Sequence, residues 1–271
     1  MDWLITILYG FFSALGQILP VSAAAHDYFL RLMTRFDTNQ PLLMLHIHLA
    51  ILAAIFLVYR SRIAHTYREV KTRKNRRQSD NEAALDWEVV KSMLVPAALG
   101  LLLTGWAQNR FDGLPGVVLL LLVSGTVLYI PHFLPMGNRD SNHLSRLEAI
   151  WFGLCAGFSA LPGLSRTGGI LSAGALRGCS RSYLLDMAML VLVPLMLLQI
   201  LLDLFALLAG GLAVLTMAYW IKCLLAGLAA FGGAALGLGA MRFLSVNRGF
   251  TMFAYYNWGL GIFGFILYLM V

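Results

Sequence analysis

Leu161-Pro162-Gly163-Leu164-Ser165-Arg166-Thr167-Gly168-Gly169 is the stretch that decides how this chain folds. Apolar runs flank it, Leu147–Ala160 before and Ile170–Leu176 after. Neither reaches the roughly 20 residues that a helix needs to cross a bilayer. A proline, three glycines, two hydroxyls and an arginine therefore fall at membrane depth, between two half-helices. Irregular backbone survives there only where protein buries it or where it lines a wet cavity. A charge such as Arg166 at that depth marks a functional site. Gly163, Ser165, Thr167 and Gly168 offer N–H groups and hydroxyls at a helix start. With the Arg166 guanidinium they make a binding site for an anion such as phosphate. The competing readings are a broken helix whose arginine snorkels to an interface, or a structural salt bridge from Arg166 to Asp186.

Composition agrees with a membrane setting. Of 271 residues, 59% are hydrophobic and 12% charged, and the mean hydropathy is +0.76, as in an all-α polytopic membrane protein. The net charge of +7 does not point to nucleic acid, because eight of the twenty Lys and Arg residues lie between Arg60 and Arg77. That cluster reads as a cytoplasmic loop, 60–91, facing anionic headgroups. Cys155, Cys179 and Cys223 have no metal-ligand spacing and read as small core residues. His46 and His48, two apart, face different sides of a helix and make a poor joint metal site. No residue set is assigned to a metal.

Taken in order, the apolar run Trp3–Leu19 ends at Pro20, and a polar-tinged break, Val21–Asp27, follows. Spans are expected over Pro41–Tyr59, Ser92–Ala107, Leu114–Leu134, Tyr183–Leu208, Leu212–Met241 and Thr251–Val271. Each half thus holds one broken pair followed by three spans. Leu19-Pro20 with Ser22 recurs as Leu161-Pro162 with Ser165, about half a chain later. Three is odd, so the second half enters from the opposite side. The expected fold is a single membrane domain, 1–271, of two interlocked inverted repeats, 1–135 and 147–271. It has six transmembrane spans and two re-entrant half-helix pairs meeting near the midplane. Placing the basic turns in the cytoplasm leaves both termini outside.

At these residues the chain resembles the bacterial undecaprenyl-diphosphate phosphatase, or bacitracin-resistance, family. The family motif P-G-x-S-R-S/T-G is matched by Pro162-Gly163-Leu164-Ser165-Arg166-Thr167-Gly168, and P-V-S-S-T-G-H is half matched by Pro20-Val21-Ser22-Ala23-Ala24-Ala25-His26. Ser180-Arg181, Asp186 and Val193-Pro194 also fit the family's layout. The resemblance implies a multi-pass protein of the bacterial plasma membrane that binds a polyprenyl diphosphate or phosphate, and it admits a homodimer. The implied reaction is dephosphorylation of undecaprenyl diphosphate to undecaprenyl phosphate. Arg166, Ser22 and His26 would then be the catalytic group, with His26 relaying protons.

The departures bear on catalysis. The family's paired acids, or Gln then Glu, correspond to Ser13 and Gln17, and its second motif serine to Ala23. A further acidic position corresponds to Met44, and a Tyr-Arg pair to Tyr256-Asn257. The family's carboxylates would hold a divalent cation such as Mg²⁺ or Ca²⁺. Here neutral oxygens remain, with Asp27 if it turns inward. Ser13, Gln17, Asp27, His48 and Asp186 are candidates for a polar cavity, with the outer surface the favoured place for Asp27. Asp203 and Lys222, near an outer turn, are expected to pair with each other or to snorkel. Two functions remain open: a lipid phosphatase, or a non-hydrolytic relative that binds or translocates the lipid phosphate.

Overall fold

The computed structural model describes residues 2–72, 87–111, 113–135, 137–139, 144–158, 161–210, 216–247 and 249–270. Among the described residues the regular structure is all helical: α1 Asp2–Ile18, α2 Ala23–Thr34, α3 Pro41–Thr72, α4 Trp87–Phe111, α5 Leu114–Tyr129, α6 Arg146–Phe158, α7 Arg166–Leu176, α8 Arg181–Gly210, α9 Met217–Asn247 and α10 Thr251–Met270.

Five of these are long and apolar enough to cross a membrane: α3, α5 with its 3-10 extension, α8, α9 and α10. The sixth expected span falls on α4. That helix has 25 residues, and Val89–Leu103 is its apolar stretch among the described residues. α3 is longer than expected. It runs on to Thr72 through the first part of the basic loop, because no Pro or Gly interrupts residues 60–72. The rest of that loop, 73–86, lies outside the described residues. α5 gives way at Ile130 to a 3-10 turn, Ile130–Phe133, where Pro131 cannot donate to the helix ladder.

The helices pack across the two halves of the chain. α1 lies on α9, α4 on α6, α3 on α8 and α9, and α5 on α10. Small residues make these contacts close, as expected where lipid supplies no hydrophobic drive between helices. Ala14, Ala226, Ala230 and Ala234 are wholly buried, and a Cβ on Gly10 would overlap the Ala226 carbonyl. Between α4 and α6, Gly100 and Gly157 face one another so closely that a Cβ on either would stand 2.7 Å from the other's Cα.

At the start of α6 and the end of α7, buried Glu148 gathers donors from three segments. It accepts from Arg139 Nη1 at 3.0 Å, Arg177 Nε at 2.6 Å, and the Ser145 amide and hydroxyl at 2.8 and 2.9 Å. Burial pushes its carboxyl up, but the bonds from Ser145, Arg177 and Arg139 outweigh that and hold it at about 2. The clamp joins the two ends of the pair, so the break between them is held inside the protein.

Candidate functional site

Each break is organised by a serine. Ser22 has extended backbone, and its Oγ accepts the Ala25 N–H at 3.2 Å, which caps α2. Ser165 does the same for α7 through the Gly168 N–H at 3.1 Å. An N-cap oxygen satisfies one of the N–H groups that a helix start leaves over, so the chain turns helical at once. Arg166, Thr167 and Gly168 therefore sit in the first turn of α7 rather than in the break, as Ala23–His26 do in α2.

The two breaks are bonded to each other. The Gly163 N–H donates to Ser22 Oγ at 2.9 Å, and Thr167 Oγ1 donates to the Leu19 carbonyl at 2.9 Å. Gly163 is required there for two reasons. Its φ of +115° suits glycine, and a Cβ would come within 2.5 Å of Leu120 Cβ on α5. Asn257 of α10, wholly buried, adds a bond from Nδ2 to the Pro20 carbonyl at 3.4 Å. Ser22, Ser165 and Thr167 are likewise buried. Their hydroxyls are engaged within this junction.

Beside the junction lies a cavity of about 410 Å³. Its lining includes Ser13, Gln17, Asp27, His48, Arg166, Gln199 and Asp203. Four of the five candidates for a polar cavity thus come together, Asp27 among them, and Asp186 is not among the lining residues. The lining of α3 comes from its N-terminal end (Met44, His48) and that of α8 from its C-terminal end (Gln199, Leu202, Asp203). The cavity therefore lies toward the end of α3 opposite its basic end. Of the Pro162–Gly168 motif, Leu164 and Arg166 reach it. Arg166 donates from Nη2 to Gln199 Oε1 at 3.4 Å, while its Nη1 is buried without a protein partner. The Gln17 Oε1 is also buried and unpartnered. Asp27 has the Tyr9 hydroxyl and the Arg31 guanidinium as its neighbours.

His26 is placed elsewhere. Its Nδ1 bonds to the Ser22 carbonyl at 2.6 Å and its Nε2 to the Tyr256 hydroxyl, and its ring stacks on Tyr256. A carbonyl only accepts, so Nδ1 carries the proton, and the Tyr256 O–H donates to Nε2 in the neutral ring. Both ring nitrogens are thus engaged, and His26 is not among the lining residues.

Two features went unread in the sequence. Asp203 does not pair with Lys222; it accepts from His48 Nδ1 at 2.6 Å inside the cavity. Lys222 instead lies over the Trp3 ring, 5.4 Å from its centroid. Gln199, one turn before Asp203, could have been noticed as a second polar residue on the same face of an apolar helix.

The donor set does not match a divalent ion. Ser13 and Gln17 present neutral oxygens where paired carboxylates are needed, and Asp27 is already beside Arg31. Among the described residues no three His, Cys, Asp or Glu side chains converge as a ligand group.

The sequence of the chain has known relatives. Proteins named undecaprenyl-diphosphatase match over nearly the whole chain. The one from Methanobrevibacter smithii is 26% identical over 98% of each chain. Those from Desulforapulum autotrophicum, 25% identical over 96% of each, and Streptococcus mutans, 26% identical over 94% of this chain and 92% of its own, are similar. The family model for bacitracin resistance protein BacA matches residues 6–263, and on that match this multi-pass membrane protein belongs to the BacA family.

Proposed function

We propose that the chain is a polyprenyl-diphosphate phosphatase that binds the diphosphate head of its lipid in the cavity at Arg166 and removes the terminal phosphoryl group. The observation that carries this reading is the buried, unpartnered Nη1 of Arg166 in a cavity between two interlocked breaks. A guanidinium at membrane depth calls for an anionic partner, and a lipid phosphate brings one. The first turn of α7 stands behind it, with Ser165, Thr167, Gly168 and Gly163 fixing the direction in which Arg166 leaves the helix.

The same reading takes the chain as two interlocked inverted repeats, 1–135 and 147–271, with six spans and two re-entrant pairs. The packing supports it, since α1 on α9 is answered by α6 on α4, and α3 on α9 by α8 on α4. The basic end of α3 supports a cytoplasmic position for the 60–91 loop, which puts the cavity toward the outer leaflet. The resemblance also implies a divalent cation; since the donors here do not match one, no step is routed through it.

A second reading is favoured by Ser13, Gln17 and Ala23, which leave the cavity without the family's acids and serine. In it the protein binds or translocates the lipid phosphate without hydrolysis. The deciding measurement is phosphate release from undecaprenyl diphosphate by the purified protein, with and without Mg²⁺ or Ca²⁺. Release supports the phosphatase; saturable lipid binding without release supports the second reading.

A further inference from the structure

The cavity holds a second polar pair that the family motifs do not include. We propose that His48 is the catalytic base of this site and Asp203 its positioning residue; the proposal rests on the hydrolytic reading above. The Asp203 carboxylate accepts the His48 Nδ1–H at 2.6 Å, with both side chains largely buried. That bond fixes the tautomer, because a carboxylate takes the proton-bearing nitrogen and leaves Nε2 as the acceptor. Nε2 has no protein partner among the described residues, and His48 lines the cavity. His26 has neither property, since both of its nitrogens are taken and it stands outside the lining.

α8 places the pair beside the anion site. Gln199 and Asp203 are four residues apart, on one face of that helix. The first holds the Arg166 guanidinium and the second the His48 imidazole. One helix face thus fixes an anion-binding group and a proton acceptor side by side. The charged groups lining the cavity with His48 are Arg166, Asp203 and Asp27, the last next to Tyr9 and Arg31.

The step balances with water as the only co-reactant. His48 Nε2 takes a proton from a water, whose oxygen bonds to the terminal phosphorus of the lipid diphosphate. The bond from that phosphorus to the bridging oxygen breaks, and its electron pair stays on the lipid monophosphate, where Arg166 meets the charge. The imidazolium then returns its proton to the departing phosphate, and nothing is oxidised or reduced.

The test compares phosphate release and binding of undecaprenyl diphosphate in the parent, His48→Gln, Asp203→Asn, Asp203→Glu and His46→Gln. His46 is the control: its Nδ1 bonds to the Leu42 carbonyl, its ring meets Trp220 edge-on, and it is not among the cavity's lining residues. His48→Gln is expected to lower kcat about 100-fold or more with lipid binding kept. Asp203→Asn should lower kcat by about tenfold or more, and Asp203→Glu should recover part of that loss. His46→Gln should match the parent. A His48→Gln protein that turns over at the parental rate overturns the proposal and leaves the phosphatase reading standing. Loss of binding together with turnover assigns the pair to structure and also overturns it. A parent that binds lipid and releases no phosphate under any condition overturns both.

Discussion

Arg166 divides its donors between protein and cavity, with Nη2 on Gln199 and Nη1 buried and unpartnered. Lysine would keep the charge but lose the planar fork that reaches both. Arg166→Lys should therefore weaken undecaprenyl diphosphate binding roughly 10- to 100-fold, the worth of one charge-assisted bond. Equilibrium binding with labelled lipid checks this, and parental affinity in Arg166→Lys or Arg166→Ala would remove the residue from the anion site. Arg166 was legible in the sequence because a charge between two short apolar runs has few explanations. The His48–Asp203 pair was not. Lys222 lies across the same outer turn from Asp203, and sequence distance alone made it the nearer partner. Its ammonium instead sits over the Trp3 ring.

The half-helices hold each other through hydroxyls. Ser22 Oγ accepts two N–H groups, one in its own helix and one at Gly163, 141 residues away. Ser22→Ala leaves both donors unpaired in a dry place. It should cost about 1–3 kcal/mol and lower the melting temperature in detergent. Thr167→Val, which removes the bond to the Leu19 carbonyl, should act in the same direction, by about 1 kcal/mol. Because both residues join the same junction, the double variant should cost less than the two separate losses added together. Additive losses would mean that the two bonds do not share a structure. The positions of both breaks were legible from Pro20 and Pro162. What the pattern did not give was how soon helix resumes, because one cap oxygen decides that and hydropathy does not register it.

Over the whole molecule, the all-helical membrane class was readable from apolar run lengths, and five of the six expected spans fall on helices long and apolar enough to cross a membrane. Which helices pair across the halves was not legible, because parity gives only the side from which the second half enters. The length of α3 departed from the pattern, since no Pro or Gly interrupts residues 60–72 and the helix runs on to Thr72. The replaced acids are best tested at this scale, because cation, nucleophile and base act as a unit. Ser13→Glu, Gln17→Glu and Ala23→Ser together should bring divalent-dependent phosphate release, while each change alone does little. Ser13 and Gln17 are one turn apart on α1 and both line the cavity, as does Ala23. A parent that already matches the triple variant would show that the chain hydrolyses lipid by its own groups.

The partnership of α1 with α9 also sets an order of events during synthesis. α1 is made well before its partner, which begins roughly 200 residues downstream, about 10–40 s later at ribosomal speed. Through that interval the Gly10 face of α1 has only lipid to lean on, and the Ser22 oxygen waits for a glycine that has not been made. The nascent first half is thus a client rather than a product. A chain built this way gains a single buried junction and gives up any chance of finishing one half before the other.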